Sequence, residues 1–156
     1  MKIIIDAMGG DNAPLAPLQG AAQAVREYGV EVIAVGVREL LERTAKDNAV
    51  PIDGITFHHA ADVIEMDEDA TDVVRKKPQS SMAVALRLLA DGEGDAAVSA
   101  GRTGALLAGA PLAVKRLRGI KRAAPGTMTP CGQKPLPLMD RGPTPLSRPG
   151  LLVPLA

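Results

Sequence analysis

The sequence predicts an open, mostly parallel α/β sheet with flanking helices. Three observations carry this. Short apolar, β-branched runs alternate with segments of helical periodicity from Met1 to Leu117. The strand-like run Ile3 to Ile5 is continuous rather than alternating, as expected of a strand covered on both faces. The chain has 156 residues, 46% hydrophobic and 23% charged, the usage of a soluble domain able to bury a core. Alternation of strand and helix implies right-handed crossovers, and places ligand sites outside the carboxyl ends of the strands.

The elements follow in order. Ile3 to Ile5 is stopped by Asp6 and reads as the first strand. From Leu15 to Tyr28, Leu18, Ala21, Ala22 and Val25 recur at helical spacing, and Gly29 supplies the stop. Val30 to Val35 forms a second strand ended by Gly36, and Val37 to Lys46 a second helix through Leu40 and Leu41. Ile55 to His59 is a weaker third strand, Ser81 to Ala90 a third helix, Ala96 to Ser99 a fourth strand and Thr103 to Leu117 a fourth helix. Asp6, Gly36, His59 and Ser99 therefore end strands and should share one rim. After Arg122 eight of the thirteen prolines occur, so the domain is expected to be 1–122, with 123–156 poorly ordered and able to support at most an edge strand over Leu136 to Asp140. Pro111, inside the fourth helix, should cost about 3 kcal/mol or kink it near Leu107.

Charge and residue counts exclude several functions. Eighteen basic residues balance eighteen acidic ones, leaving no global field to attract nucleic acid. Tyr28 and Phe57 are the only aromatics, too few for a base-stacking platform. Cys131 is the sole cysteine, which forbids an internal disulfide and points to a cytoplasmic setting. No metal site is expected, because adjacent His58 and His59 in a strand face opposite ways and the carboxylates from Asp62 to Asp69 lack ligand spacing. The longest uncharged apolar stretch, Gly104 to Val114, is too short to span a bilayer.

Three segments carry chemistry. Asp6-Ala-Met-Gly9-Gly10-Asp11-Asn-Ala-Pro14 follows the first strand, and its paired glycines permit close backbone approach to a ligand, or simply a tight turn into a helix. Ser99-Ala-Gly101-Arg102-Thr103-Gly104 passes from strand to helix through small residues, so helix-start N–H groups and two hydroxyls meet at the rim and can cradle a phosphate. The competing reading is a small-residue loop for close packing; the segment is neither a Walker A motif nor a GxGxxG fingerprint. Arg75-Lys76-Lys77-Pro-Gln-Ser80-Ser81-Met82 places cations before a helix N-terminus, where an anion or plain solvent can face them.

In this order and spacing the three segments resemble the bacterial phosphate acyltransferase family PlsX, strongly from Met1 to Arg122 and weakly to the end. His59-Ala-Ala-Asp62-Val-Ile-Glu-Met66 is similar to the family's segment ahead of the basic run. The resemblance implies a Rossmann-like fold of the isopropylmalate dehydrogenase and phosphotransacetylase kind, of which this chain is the truncated N-terminal portion. It implies transfer of a long acyl chain from acyl carrier protein to inorganic phosphate, giving acyl phosphate for phospholipid synthesis. It further implies a homodimer without metal, nucleotide or other cofactor, cytoplasmic and attached peripherally to the inner face of the membrane.

Under that resemblance, Ser99, Gly101, Arg102, Thr103 and Gly104 are expected to hold phosphate, with Lys77, Ser80 and Ser81 neutralising charge. Asp6, Gly9 and Gly10 would shape the substrate cleft, and Asp11 would act as a base or orienting group. Lys77, Ser80 and Asp11 are thus the expected catalytic residues. Three positions depart from the family: Arg102 stands where Asn is usual, Pro111 lies in an Ala-rich region, and Asp140-Arg-Gly-Pro-Thr replaces Asp-x-Gly-Ala-Asn. Arg102 is expected to bind anions while impairing turnover. Two other readings compete: an NAD-dependent hydroxyacid dehydrogenase of the related fold, for which no nucleotide fingerprint exists here, and a non-catalytic binding remnant.

Overall fold

The computed structural model describes residues 1–64, 76–116, 118, 126–131 and 134–139. Its compact units are Met1–Val114 and Lys115–Ala156. In the first, four parallel strands, β1 (Lys2–Asp6), β2 (Glu31–Gly36), β3 (Ile55–His59) and β4 (Ala96–Ser99), lie in the order β3-β2-β1-β4. The chain thus builds outward from β1 to β3 on one side, then returns to place β4 on the other. This reversal creates a switch point between β1 and β4, where adjacent connections leave in opposite directions and a crevice opens at the carboxyl ends.

Register puts those ends level. Asp6 stands opposite Val35 on one side and Ser99 on the other, and Gly36 stands opposite His59. The shared rim expected from the sequence is therefore present.

Helices cover both faces because side chains alternate along each strand. Helix α1 (Leu15–Tyr28) and α2 (Arg38–Asp47) pack on the face carrying Ile5, Ala34, Ile55 and Phe57, with Leu18 and Leu41 wholly buried. Helix α3 (Ser81–Ala90) packs on the opposite face, where Val84, Ala85, Leu88 and Leu89 meet Ile4, Ile33, Val35 and Ala97. Helix α4 (Thr103–Ala113) rests on α3 through Ala105, Leu106 and Ala110 against Met82 and Leu86.

Terminal signals behave largely as their chemistry requires. Gly29 ends α1 in the left-handed conformation, φ 63°, and returns its N–H to the Val25 carbonyl. Helix α4 stops at Ala113, four residues before the expected Leu117, and Lys115 just beyond it takes φ 69°, outside the right-handed helical range. Pro111 itself is accommodated inside α4.

In the second unit the backbone forms two antiparallel strands, β5 (Gly126–Cys131) and β6 (Lys134–Met139), where the sequence suggested one edge strand at most. Pro130 pairs with Pro135 and Pro137 with Met128, so all three prolines share one phase of the ladder. A two-stranded ribbon has an outward-facing N–H at every second residue, and proline is tolerated in that phase. The remaining residues of 123–156 lie outside the described residues.

Candidate functional site

The site grows from the β1–β4 pair. Asp6 and Ser99 are directly opposite in register, so their side chains leave the same face of the sheet. The Ser99 hydroxyl donates to Asp6 Oδ2 at 2.7 Å, the length of a charge-assisted bond. The Ser99 oxygen accepts the Gly101 N–H at 3.0 Å, and Asp6 Oδ1 accepts the Met8 N–H at 3.2 Å. Asp6 is buried, only 4% exposed, and its charge is stabilised by these donors rather than by a cation among the described ion pairs.

The two loops touch through their glycines. A Cβ on Gly9 would lie 2.7 Å from the Gly101 nitrogen and 2.8 Å from Asp6 Oδ2. Gly10, at φ 99°, lies over Ala100, and Gly101 faces the Met82 methyl of α3. Glycine is required here because any side chain at Gly9 would separate the loops. The expected adjacency of the Asp6–Asp11 and Ser99–Gly104 segments is thus observed in direct contact.

Beyond Gly101 the chain enters α4. Arg102 occupies the N-cap in an extended conformation without a side-chain cap, and the Ala105 and Leu106 N–H groups bond its carbonyl. The first-turn donors at Thr103 and Gly104 point out of the helix start, where the macrodipole favours an anion. Within the guanidinium, Nη1 of Arg102 is buried without a hydrogen-bond partner. Such an orphaned donor is costly, and an oxyanion would satisfy it.

The basic segment is arranged differently. Lys77 Nζ donates to the Val63 carbonyl at 2.9 Å. Ser80 is fully buried, with its oxygen accepting the Ala83 N–H at 3.4 Å as the N-cap of α3. Ser81 is also buried, and its N–H bonds the Asp62 carbonyl, tying the 62–63 segment to the helix start. These bonds engage one of the three Lys77 ammonium donors and the acceptor side of the Ser80 hydroxyl, while α3 reaches the Ser99–Gly104 loop through Met82. Arg75 lies outside the described residues. Asp11 is exposed at the rim, and Asn12 accepts the Ala16 N–H at 3.0 Å.

One feature escaped the sequence reading. An apolar pocket of about 490 Å³ is lined by α1 and the sheet, with Ile3, Ile5 and Val98 on the strands and Gly9, Gly10 and Asp11 from the loop after β1. Its helical wall includes Ala16, Gly20 and Ala24, small residues four apart on α1. That spacing was the available signal. Gly20 has no atom within 4 Å of where its Cβ would be, so packing does not demand glycine there.

A family model described as fatty acid synthesis protein matches residues 1–153. The phosphate acyltransferase of Trichlorobacter lovleyi is 41% identical over 142 residues, covering 91% of this chain and 41% of that protein. The enzyme of the same name from Clostridioides difficile is 41% identical over 144 residues, 92% of this chain and 40% of its own length. That of Geobacter sulfurreducens is 46% identical over 125 residues, 80% and 36% respectively. The chain therefore spans about two fifths of the length of the curated relatives it matches. With a parallel sheet, two glycine loops in contact at its switch point, and a family match over almost every residue, the chain belongs to the fatty acid synthesis protein family.

Proposed function

We propose that this chain forms the phosphate-holding part of a phosphate acyltransferase site, in which inorganic phosphate takes an acyl group from the thioester of acyl carrier protein. The buried, unpartnered Nη1 of Arg102 at the start of α4 carries the reading. A guanidinium, two first-turn N–H groups and a helix dipole suit a compact dianion better than a nucleotide, for which the loops lack a fingerprint.

Chemically, a phosphate oxygen forms a bond to the thioester carbon as the carbon–sulfur bond breaks. The products are an acyl phosphate and a free thiol, the proton of hydrogen phosphate passing to the departing sulfur. Holding phosphate beside the carbonyl makes the attack effectively unimolecular, and each donor aimed at the developing oxyanion contributes about 10²–10³ in rate. In the proposed roles, Arg102, Thr103 and Gly104 bind phosphate and Gly9 and Gly10 let the reactants approach. Asp11, exposed at the rim, relays the proton. The apolar pocket that Asp11 helps to line suits the acyl chain. Homodimerisation, supply of acyl phosphate to phospholipid synthesis and peripheral attachment to the inner membrane face belong to the same proposal. Among the described residues no helix is long and apolar enough to cross a membrane.

The test is acyl-phosphate formation, trapped with hydroxylamine, from acyl carrier protein thioester and inorganic phosphate. It is run on this chain and on one extended to the length of the relatives. Phosphate-dependent product from the longer chain is expected; its absence refutes the reading.

A further inference from the structure

We propose that Asp6 and Ser99 are positioning residues, a buried clamp that fastens the two rim loops into one unit, and that neither contacts substrate. For its catalytic consequence this rests on the functional reading above; for its physical content it stands on geometry alone.

Ser99 has one proton, which goes to Asp6 at 2.7 Å, and its oxygen already accepts the Gly101 N–H at 3.0 Å. A hydroxyl so committed has no proton left to donate to phosphate. Asp6 receives Ser99 on one carboxylate oxygen and the Met8 N–H on the other, so a single carboxylate holds both the loop after β1 and the loop after β4. The two residues are 93 positions apart, and only the parallel register brings them together. The seating is tight because a Cβ at Gly9 would meet Asp6 Oδ2 and the Gly101 nitrogen within 2.8 Å. The clamp thereby sets where Arg102 and the first turn of α4 stand relative to Gly9 and Gly10. A carboxylate suits this role: it accepts from both loops at once, whereas an amide would present a donor to one of them.

The experiment is native-state amide exchange by NMR on the 156-residue chain, with inorganic phosphate titrated in parallel. Ser99→Ala removes the shared hydroxyl, leaving the Gly101 N–H and Asp6 Oδ2 without their partner. Exchange is expected to accelerate at least tenfold at Met8 as well as Gly101, while Ile33 and Ala34 in β2 keep their protection. Ser99→Thr, which keeps the hydroxyl, restores both loops, and phosphate affinity falls severalfold in the alanine variant and returns in the threonine one. Unchanged exchange at Met8, or a threonine variant that behaves like alanine, overturns the clamp. Should Ser99→Ala lose protection at Ile33, Asp6→Ala takes its place, removing both acceptors: acceleration at both Met8 and Gly101 supports the clamp, and acceleration at Met8 alone refutes it. If the unsubstituted chain binds no inorganic phosphate, the functional reading fails while the exchange arm still decides the clamp.

Discussion

Alanine at Gly9 and alanine at Gly20 should change stability in opposite directions, although the chemical change is identical. At Gly9 the new methyl would lie 2.7 Å from the Gly101 nitrogen, 2.8 Å from Asp6 Oδ2 and 3.0 Å from the Gly101 Cα, where ordinary contact begins at about 3.4 Å. None of these atoms is the free end of a flexible side chain: two are backbone, and the third is a carboxylate held by Ser99. Overpacking of this kind costs about 1–3 kcal/mol, offset by about 0.4–1 kcal/mol from the stiffer unfolded chain. The net expectation is a loss of about 1–2 kcal/mol. At Gly20 there is nothing within 4 Å, and the position is exposed within α1, so alanine should add about 0.5–1 kcal/mol through helix propensity. The two variants should differ by about 2 kcal/mol, roughly 1 M in urea midpoint at a slope of about 2 kcal/mol per M. Urea unfolding followed by far-ultraviolet circular dichroism measures this directly. Shifts of the same sign and size would refute the contact argument and with it the close seating of the two loops.

Further outcomes follow from individual residues. Arg102→Asn removes charge-assisted donors worth about 1.5–3 kcal/mol and should weaken phosphate binding about 10- to 100-fold by calorimetry, and in a chain of the relatives' length it should raise turnover. Unchanged affinity would show that the guanidinium does not reach the anion. Ser80→Ala deletes the α3 N-cap and should lower stability by about 1 kcal/mol; no loss in urea would mean the 3.4 Å contact contributes nothing. Gly20→Leu fills the cavity beside α1 and should reduce binding of a fluorescent long-chain fatty acid at least tenfold, since each excluded methylene forfeits about 0.8 kcal/mol. Equal binding would place the acyl chain elsewhere. Pro111→Ala should raise the melting temperature by supplying an N–H for the Leu107 carbonyl and removing the general cost of proline inside a helix, a gain of about 1–3 kcal/mol; an unchanged melting temperature would mean α4 already relaxes around the ring.

What could be read in the sequence is what local spacing encodes. Helix α1 begins and ends where Leu15, Tyr28 and Gly29 indicate, since apolar period and a left-handed glycine are properties of neighbouring residues. The four parallel strands and the two glycine loops following β1 and β4 were legible for the same reason. The hairpin of β5 and β6 was not, because proline density conceals which phase of a ladder each proline occupies until the partner strand is known.

By itself the sequence determined the order of strands and helices, the loops that face the rim and the family to which they belong. Tertiary structure decided how those residues are used. Asp6 and Ser99, expected as ligand contacts, are bonded to each other because strand order β3-β2-β1-β4 sets them side by side. One Lys77 donor meets the Val63 carbonyl, and the Ser80 oxygen accepts the Ala83 N–H at the start of α3, because polar groups are satisfied by whatever the fold brings near. The orphaned Nη1 of Arg102 and the cavity beside Gly20 likewise arise only once helices are laid on the sheet. Periodicity is written in neighbouring residues, whereas a partner 93 residues away is chosen by register and packing across the whole domain.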